Sequence, residues 1–261
     1  MVQRSFGDAG ARVIVEECLV GEEASILAFS DGRSVVPMVT SQDHKRVYDG
    51  DRGPNTGGMG ADSPAPVVTA ELQREIEQRI LAPCIAGMAA EGTPYVGILY
   101  AGLMITEAGP KVVEFNVRFG DPETQVVLPR MTSDIVPVLL ACCNGTLERS
   151  EVAYSDAPCV TVVMASGGYP KAYQKGKPIT GIPAAEAMQD VIVFHAGTTQ
   201  EGDALVTSGG RVLNVTAIAP RLPEAIQRAY AAVESIYFEA AHFRMDIGRK
   251  ALDRAGPLEH G

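Results

Sequence analysis

The sequence predicts an α+β fold in two parts, and three observations support this prediction. Strand-like segments joined by short turns indicate antiparallel pairing, and amphipathic segments between them indicate helices that pack beside a sheet. A polar stretch, Glu148–Pro158, separates the two parts. We therefore expect an antiparallel sheet with helices over residues 1–150, followed by a small α+β domain over residues 151–261.

The first part opens with three strand-like segments, at Arg12–Val20, Ala24–Phe29 and Ser34–Val39. An Asp-Gly turn between the last two favours a hairpin. Residues 41–66 are rich in Gly, Pro, Asp and Asn and predict a long loop without regular structure. A loop of this length in a compact domain is usually functional or mobile.

A helix and two strands follow this loop. Apolar residues spaced as on one helix face predict a helix over about residues 70–91. Thr69 suits its N-cap, and Pro83 is expected to kink or divide it. Tyr95–Thr106 and Lys111–Arg118 favour two further strands joined by a short turn.

The remaining elements are short. The sequence predicts one more helix in the first part and four strands and a helix in the second: Ser133–Cys143, then Cys159–Ala165, Val191–His195, Ala204–Val206 and Arg211–Ile218, then Pro223–Ser235.

The composition disfavours several classes of protein. The net charge of −10 argues against general binding to the phosphate backbone of nucleic acid. No apolar run is long enough to span a membrane and no secretory signal is visible, so we expect a cytoplasmic protein without a membrane partner. The five cysteines include no CxxC pair, so we expect buried free thiols rather than disulfides or a zinc site.

The most informative segment is the strand that carries Glu114, Asn116 and Arg118. Side chains alternate along a strand, so these three are expected on one face, while Phe115, Val117 and Phe119 share the other face and can pack into a core. A carboxylate beside an amide oxygen suits a hard cation such as Mg²⁺. An Arg nearby suits phosphate oxygens. An amphipathic strand with a solvated face remains the alternative.

Two further acidic segments are candidate ligand contacts. Asp121 and Glu123 bring two more carboxylates to the end of that strand. Glu16, Glu17 and Glu23 surround a glycine turn, and a carboxylate is a good acceptor for a pair of ribose hydroxyls or an amino group. A charged hairpin end remains the alternative for this second segment.

Two stretches of the long loop also stand out. Thr40–Arg46 places polar and basic residues, including His44, close together. Gly53–Gly60 is dense in glycine, which lets backbone N–H groups approach a phosphate or a carboxylate closely. Neither a P-loop nor a strand-linked GxGxxG motif is present, and a flexible surface loop remains the alternative.

These segments, in this order, resemble one family. The sequence is similar to the phosphoribosylamine–glycine ligases, also called glycinamide ribonucleotide synthetases, which are ATP-grasp enzymes of purine biosynthesis. The resemblance runs over nearly the whole chain, in the stretches FGDAG (Phe6–Gly10), EECLVGEEAS (Glu16–Ser25), TSQDHKR (Thr40–Arg46), GPNTGGMGADSPAP (Gly53–Pro66), LYAGLM (Leu99–Met104), EFNVRFGDPETQ (Glu114–Gln125), SGGYP (Ser166–Pro170), HAGT (His195–Thr198) and GGRVLNVTA (Gly209–Ala217).

The resemblance implies an activity and a nucleotide site. It implies that ATP drives the joining of glycine to 5-phosphoribosylamine, which gives glycinamide ribonucleotide, ADP and phosphate. It also implies that Glu16 and the backbone of Glu17 and Leu19 line the adenine pocket, and that Glu23 takes the ribose hydroxyls.

The resemblance further implies a reaction centre. Glu114 and Asn116 are expected to bind Mg²⁺ or Mn²⁺, and Arg118 is expected to face the transferring phosphoryl group. Asp121 and Glu123 are expected to lie near the amino-acid or amine substrate.

The sequence also departs from the family pattern. The family has a glycine-rich N-terminal domain and a first ATP-grasp lobe, and neither is visible here. We therefore expect the second ATP-grasp lobe with the C-terminal domain, and a chain that ligates glycine poorly unless a separate N-terminal half is supplied. Two alternatives stay open: a nucleotide-binding fragment without turnover, and another ATP-grasp carboxylate–amine ligase.

Overall fold

A computed structural model describes residues 11–255, and it confirms the predicted α+β fold. The strands are β1 (Glu22–Asp31), β2 (Val35–Pro37), β3 (Gln42–Asp43), β4 (Arg46–Tyr48), β5 (Arg52–Asn55), β6 (Gly60–Ser63), β7 (Val96–Thr106), β8 (Gly109–Asn116), β9 (Cys159–Ala165), β10 (Val191–His195), β11 (Thr198–Glu201), β12 (Ala204–Thr207) and β13 (Arg211–Ile218). The helices are α1 (Ala70–Ile76), α2 (Ala82–Ala90), α3 (Thr124–Val127), α4 (Ile135–Asn144), α5 (Ile182–Glu186), α6 (Leu222–Glu234) and α7 (Arg249–Ala255).

The first sheet is antiparallel and has the strand order β2-β1-β7-β8. Its two hairpins, β1–β2 and β7–β8, confirm the turns expected from the sequence. The structure has no strand at Arg12–Val20, so that prediction is wrong. Both edges of β1 are already paired with β2 and β7, which leaves this segment no edge of β1 to pair with. Ile14 and Val15 are therefore left exposed, at 87% and 91%. Alternating apolar residues favour a strand only where a partner edge exists.

The helix expected over residues 70–91 is present and is divided as expected. Thr69 caps it, since its Oγ1 accepts a hydrogen bond from the amide of Leu72 at 3.2 Å. A π-helical turn, Glu77–Leu81, separates α1 from α2 directly before Pro83. Pro83 has no N–H to continue the α-helical pattern, which explains the break.

Helices cover both faces of the first sheet. Ile76, Leu81 and Ile85 pack on the face that carries Ala24, Ile26 and Ala28 of β1, together with Leu99, Ala101 and Leu103 of β7. On the opposite face, α4 covers one end of the sheet, where Val138 and Cys142 join the cluster of Leu27, Phe29, Ile98 and Tyr100. At the other end of that face, Glu114 of β8 is exposed.

The outer strand β8 corrects one expectation. Phe115 is 41% exposed and Val117 is 72% exposed, so they do not pack into a core as the sequence indicated. Both side chains are exposed because β8 is the last strand of its sheet, and no other described strand pairs with its outer edge. The unpaired edge and its apolar side chains form an open surface on the described part of the chain.

The second sheet has the order β10-β13-β9-β6-β3. It corrects the expectation of a long unstructured loop at residues 41–66, because that segment contains β3 to β6. All four residues of β6 are buried. The sheet joins strands from both sides of residue 150, where the sequence suggested a domain boundary. That boundary stays a prediction.

The C-terminal elements agree with the sequence. The predicted strands match β9, β10, β12 and β13, and the predicted helix matches α6. The sequence missed α5, β11 and α7, which are short. Helix α6 packs its alanine-rich face, including Ala225 and Ala229, against the sheet core. No helix among residues 11–255 is long and apolar enough to cross a membrane.

The cysteines are all free, as expected. The expectation that they are buried is wrong for Cys18 and Cys143, which are exposed. Cys159 is buried, and this burial raises the pKa of its thiol to about 12. Such a thiol stays protonated and is a poor nucleophile at neutral pH.

Candidate active site

The open end of the first sheet carries one row of polar side chains. Ser25 of β1 lies opposite Gly102 of β7, which lies opposite Glu114 of β8. Residues directly opposite in antiparallel strands point to the same face. Glu23 lies two residues before Ser25, and Asn116 two residues after Glu114, so both share that face. We call this surface the site face.

Glu114 and Asn116 are suited to a divalent cation. The Asn116 amide nitrogen donates to a Glu114 carboxylate oxygen at 3.1 Å, and the amide oxygen and the second carboxylate oxygen have no hydrogen-bond partner among the described residues. Among residues 11–255 no group of three or more His, Cys, Asp or Glu residues could hold a metal alone. Hard cations such as Mg²⁺ are often held by one or two such side chains, with phosphate oxygens and water completing the shell. The residues present fit that pattern.

Lys45 also belongs to the site, and the sequence analysis did not select it. Its ammonium lies 2.8 Å from a Glu23 carboxylate oxygen. Burial opposes the charge on Lys45, but the hydrogen bond with Glu23 and the neighbouring Asp43 raise its pKa. The carboxylate of Glu114 acts in the same direction. Lys45 therefore stays cationic between the two acidic strands. Its signal in the sequence was a basic residue two positions after the acidic Asp43.

A buried recess lies next to the site face. Glu123 is only 3% exposed, and one of its carboxylate oxygens accepts hydrogen bonds from the Tyr100 hydroxyl at 2.7 Å and the Ser25 hydroxyl at 3.1 Å. The buried Oδ1 of Asp43 has no hydrogen-bond partner among the described residues. Burial and the charge of Glu123 raise the pKa of Asp43 well above its usual range. Burial also raises the pKa of Tyr100, which keeps its hydroxyl a donor.

The alternation that placed Arg118 on the site face does not extend that far. Strand β8 ends at Asn116, and the guanidinium of the exposed Arg118 donates to the carbonyl of Phe119 at 2.8 Å. The sequence predicted that Arg118 shares one strand face with Glu114 and Asn116, and this is corrected because the strand ends before Arg118. Arg118 lies in the connection between β8 and α3, beside the site face rather than on it.

Asp121 is engaged by neighbouring side chains. Its carboxylate lies 3.3 Å from the guanidinium of Arg211 and accepts a hydrogen bond from the amide of Gln125 at 3.1 Å. Asp121 and Glu123 therefore face different surroundings, since Glu123 is buried and Asp121 is half-exposed. The structure brings both within the turn that follows β8.

A cleft of about 510 Å³ lies at the end of the sheet where Glu22 begins β1. Glu17 and Leu19 line it, and Lys111 of β8 closes it with its ammonium 2.5 Å from a Glu17 carboxylate oxygen. Glu16 is exposed and does not line the cleft. The remaining lining comes from the β7–β8 turn and from the residues just before β1.

His44 does not reach the site. It is 1% exposed, and its Nε2 lies 2.8 Å from a carboxylate oxygen of Asp62 in β6. This pair is buried below the connection between β3 and β4 and supports the fold there. The Phe6–Gly10 stretch of the family resemblance lies outside the described residues.

Two family models match the chain. Residues 1–124 match the ATP-grasp (A) domain of phosphoribosylglycinamide synthetase, and residues 159–250 match the C domain of the same enzyme. The chain belongs to the phosphoribosylglycinamide synthetase family. Its first sheet and the site face are therefore part of an ATP-grasp domain, and the resemblance stated from the sequence is confirmed.

Relatives in this synthetase family are close in sequence. The phosphoribosylamine–glycine ligase of Chlorobaculum tepidum is 54% identical over 249 residues, which cover 95% of this chain and 59% of the relative. The phosphoribosylamine–glycine ligase of Rhizobium meliloti is 53% identical over 250 residues, which cover 96% of this chain and 59% of the relative. The chain thus spans somewhat more than half the length of these relatives.

Solved structures agree with this assignment. The crystal structure of phosphoribosylamine–glycine ligase from Thermotoga maritima is similar with a TM-score of 0.78 and 37% identity, over 88% of this chain and 56% of that one. The biotin carboxylase domain of a thermophilic 2-oxoglutarate carboxylase, bound to bicarbonate, has a TM-score of 0.60 and 14% identity. It covers 85% of this chain and 48% of that one, and it supports the ATP-grasp fold alone.

Four of the family motifs meet in space. The motif with Glu114 and Asn116 forms the outer strand, and the motif with Lys45 crosses over β1. The glycine-dense stretch lies against both Asp43 and Pro122. The fourth, GGRVLNVTA, reaches the same place through Arg211. Sequence reasoning found the first three segments and treated the fourth only as part of the resemblance.

Proposed function

We propose that the chain carries the metal-binding half of the active site of a phosphoribosylamine–glycine ligase. The reaction is the ATP-dependent joining of glycine to 5-phosphoribosylamine. One observation supports it above all: Glu114 and Asn116 present free oxygen ligands on the site face, beside Lys45, in a chain about half identical to enzymes of that name. A cytoplasmic location stays a prediction.

The chemistry has two steps. A glycine carboxylate oxygen attacks the terminal phosphorus of ATP, and the bond to ADP breaks to leave glycyl phosphate and ADP. The amine nitrogen of 5-phosphoribosylamine then attacks the acyl carbon, phosphate leaves with the bonding electrons, and the nitrogen loses a proton. Phosphoryl transfer of this kind asks the protein mainly for positioning and for neutralisation of charge.

The nucleotide would lie across the site face. Glu23 would accept hydrogen bonds from the ribose hydroxyls, and Glu16, Glu17 and Leu19 would contact adenine at the cleft. Because Glu16 is exposed and does not line that cleft in the structure, its role requires a change of rotamer or backbone. Lys45 lies between the ribose side and the metal side, where its ammonium would neutralise phosphate charge.

The metal, Mg²⁺ or Mn²⁺, would be held by Glu114 and Asn116. When bound, it would neutralise phosphate charge and polarise the phosphorus–oxygen bonds. Arg118 is exposed beside the site face and is free to turn its guanidinium toward the transferring phosphoryl group. Its present partner is only a backbone carbonyl, so little is lost when it turns.

The amino substrate would lie at the recess. Asp121 and Glu123 offer carboxylates to a substrate ammonium, and the buried Asp43 adds a third. Burial and the charge of Glu123 raise the pKa of Asp43, so an added positive charge would favour its ionised form. A substrate ammonium would supply that positive charge and let Asp43 ionise.

A complementary polypeptide is part of this proposal. ATP-grasp sites lie between two lobes, and this chain spans 59% of its curated relatives. We therefore propose that a separate segment, corresponding to the part of the relatives that this chain does not match, supplies the other wall. Glycine and 5-phosphoribosylamine would bind at the junction.

Two measurements test the proposal. Calorimetric titration should show Mg²⁺-dependent binding of ADP to the chain and its loss in Glu114→Gln, with Glu234→Gln, an exposed glutamate of α6, as a matched control. Mixing the chain with the unmatched part of the C. tepidum ligase should then produce ADP only when glycine and 5-phosphoribosylamine are both present. Binding without turnover in every mixture would favour a nucleotide-binding fragment. No Mg²⁺-dependent binding at all would refute the proposal.

A further inference from the structure

Two motifs of the C-terminal part have no role in the function proposed above, yet both touch the same turn of the glycine-dense stretch. Arg211 opens β13 in the GGRVLNVTA motif, and Tyr169 lies in the SGGYP motif after β9. The Gly57–Gly58 turn lies between them, ahead of β6. We call Arg211 and Tyr169 together the C-terminal clamp.

Arg211 joins two loops through one nitrogen. Its Nη1 donates to the carbonyl of Gly57 at 2.6 Å and to the carbonyl of Asp121 at 2.7 Å. The same nitrogen lies 3.4 Å from the carbonyl of Gly58. Hydrogen bonds from a charged donor are about twice as strong as neutral ones. Arg211 therefore ties the Gly57–Gly58 turn to the loop that follows β8.

Tyr169 holds the other side of the same turn. Its hydroxyl oxygen accepts a hydrogen bond from the amide of Gly57 at 3.0 Å. The carbonyl and the amide of one residue, Gly57, are thus both bound by the C-terminal part. A side chain at Gly57 would place its Cβ 3.0 Å from the guanidinium carbon of Arg211, so the guanidinium packs closely against this glycine.

The turn also contacts two residues of the site, Asp43 and Lys45. Gly58 is held so closely that an added Cβ would lie 2.4 Å from Pro122 and 2.6 Å from the Oδ1 of Asp43, and its φ of +113° suits glycine. On the other side, the amide of Thr56 donates to the carbonyl of Lys45 at 2.8 Å. The turn is therefore packed or bonded to both Asp43 and Lys45.

We propose that Arg211 and Tyr169 are positioning residues, which hold the Gly57–Gly58 turn and, through it, Lys45 and Asp43 against the site face. The C-terminal part then acts on the reaction through this turn. This inference rests on the proposed function for its meaning, but its test does not require turnover.

Hydrogen exchange resolved at single amides by NMR tests the clamp in the chain alone. In Arg211→Met, the amides of Gly57 and Met59, and that of Thr124 after the Asp121 turn, should exchange at least about tenfold faster, because a charged donor to two carbonyls is lost. Tyr169→Phe should accelerate the Gly57 amide by roughly threefold, as expected for one neutral hydrogen bond.

Two matched variants serve as controls. Arg228→Met removes an arginine that likewise bonds one carbonyl, that of Ile218, and one aspartate, Asp190, on the far side of the C-terminal part. Tyr173→Phe removes a neighbouring hydroxyl with no hydrogen bond among the described residues; its ring packs edge-on against Tyr169. Neither should change exchange at Gly57, Met59 or Thr124.

A conservative variant separates positioning from general support. The hydrogen bonds of Arg211 to the two loops all come from one nitrogen, which the lysine ammonium in Arg211→Lys can replace. Exchange at the amides of Gly57, Met59 and Thr124 should therefore stay within about threefold of the parent. Unchanged exchange at Gly57 in Arg211→Met would overturn the proposal. So would acceleration in Arg211→Met that is spread evenly over the whole chain, or equal acceleration of these amides in the control Arg228→Met. Titration of the parent with Mg²⁺ and ADP tests the proposed function separately.

Discussion

The sharpest stability prediction concerns Asp246 and the buried arginine beside it. The Arg244 side chain is 1% exposed and binds both carboxylate oxygens of Asp246, at 2.7 and 2.8 Å. It also donates to Asp51 at 3.0 Å and to the carbonyl of Arg46 at 3.1 Å. This network joins the segment before α7 to the β4–β5 hairpin, which leads into the Gly57–Gly58 turn.

The pKa of Asp246 gives the size of the effect. Burial alone would raise it, but the two hydrogen bonds from Arg244 and one from the amide of Gly50 lower it to about 2 from an ordinary value of 3.8. That difference corresponds to about 2 kcal/mol of folding free energy at neutral pH. Because the folded-state pKa is the lower one, this stability is present above pH 3.8 and is lost as the pH falls through about 2.

The assay is urea unfolding of Asp246→Asn and the parent at pH 7 and pH 3, followed by circular dichroism. We expect the variant to be less stable by about 2 kcal/mol at pH 7 and by about 1 kcal/mol at pH 3. Asp253→Asn is the matched control, because Asp253 lies 4.0 Å from Arg249 and both are exposed. Its loss should stay within about 0.5 kcal/mol. An Asp246→Asn deficit that is equal at both pH values, or no larger than the control's, would refute the reasoning.

Three further predictions concern the site. Lys45→Met should weaken Mg²⁺-dependent ADP binding by roughly tenfold in calorimetry, because a charged donor is lost. The control Lys250→Met, which removes a lysine paired with Asp51, should leave ADP binding unchanged. Tyr100→Phe removes a donor from the buried Glu123 and should lower unfolding stability by about 1–3 kcal/mol in urea; a loss within error would contradict a buried hydrogen bond there. Asp43→Asn should stabilise the chain at pH 7. The pKa of Asp43 is raised in the folded state, so its contribution to the free energy of unfolding is full below about pH 4 and is lost as the pH rises. The gain should therefore shrink as thermal melts are repeated toward pH 4, and a constant gain would count against it.

The fold was predictable where strands and partners are near in sequence. β7 and β8 follow one another with a short turn between them, and their alternation and turn residues identified both. β3 and β6 escaped detection because they are two to four residues long and glycine-rich or polar. A strand that short is stabilised by its partners, and the main partner of β6 is the distant β9.

The candidate site was predictable where the chemistry lies along one strand. Glu114 and Asn116 could be placed on one face from spacing alone, and the structure agrees. Arg118 could not, because alternation stops where the strand ends. Arg211 and Lys45 reach the site from other segments, and nothing in their local sequence shows what lies opposite them in space. Their roles depend on contacts across long sequence distances.

The pairing of β6 with β9 has a consequence for how this chain is made. Gly60 lies opposite Val162, so roughly a hundred residues leave the ribosome between the two partners. Until β9 emerges, the edge of β6 that pairs with β9 in the folded chain has no partner strand. Closing so long a loop also slows folding. Nascent chains halted shortly after residue 150 should therefore be recognised by chaperones, whereas chains released after β13 should be able to complete the sheet and escape them.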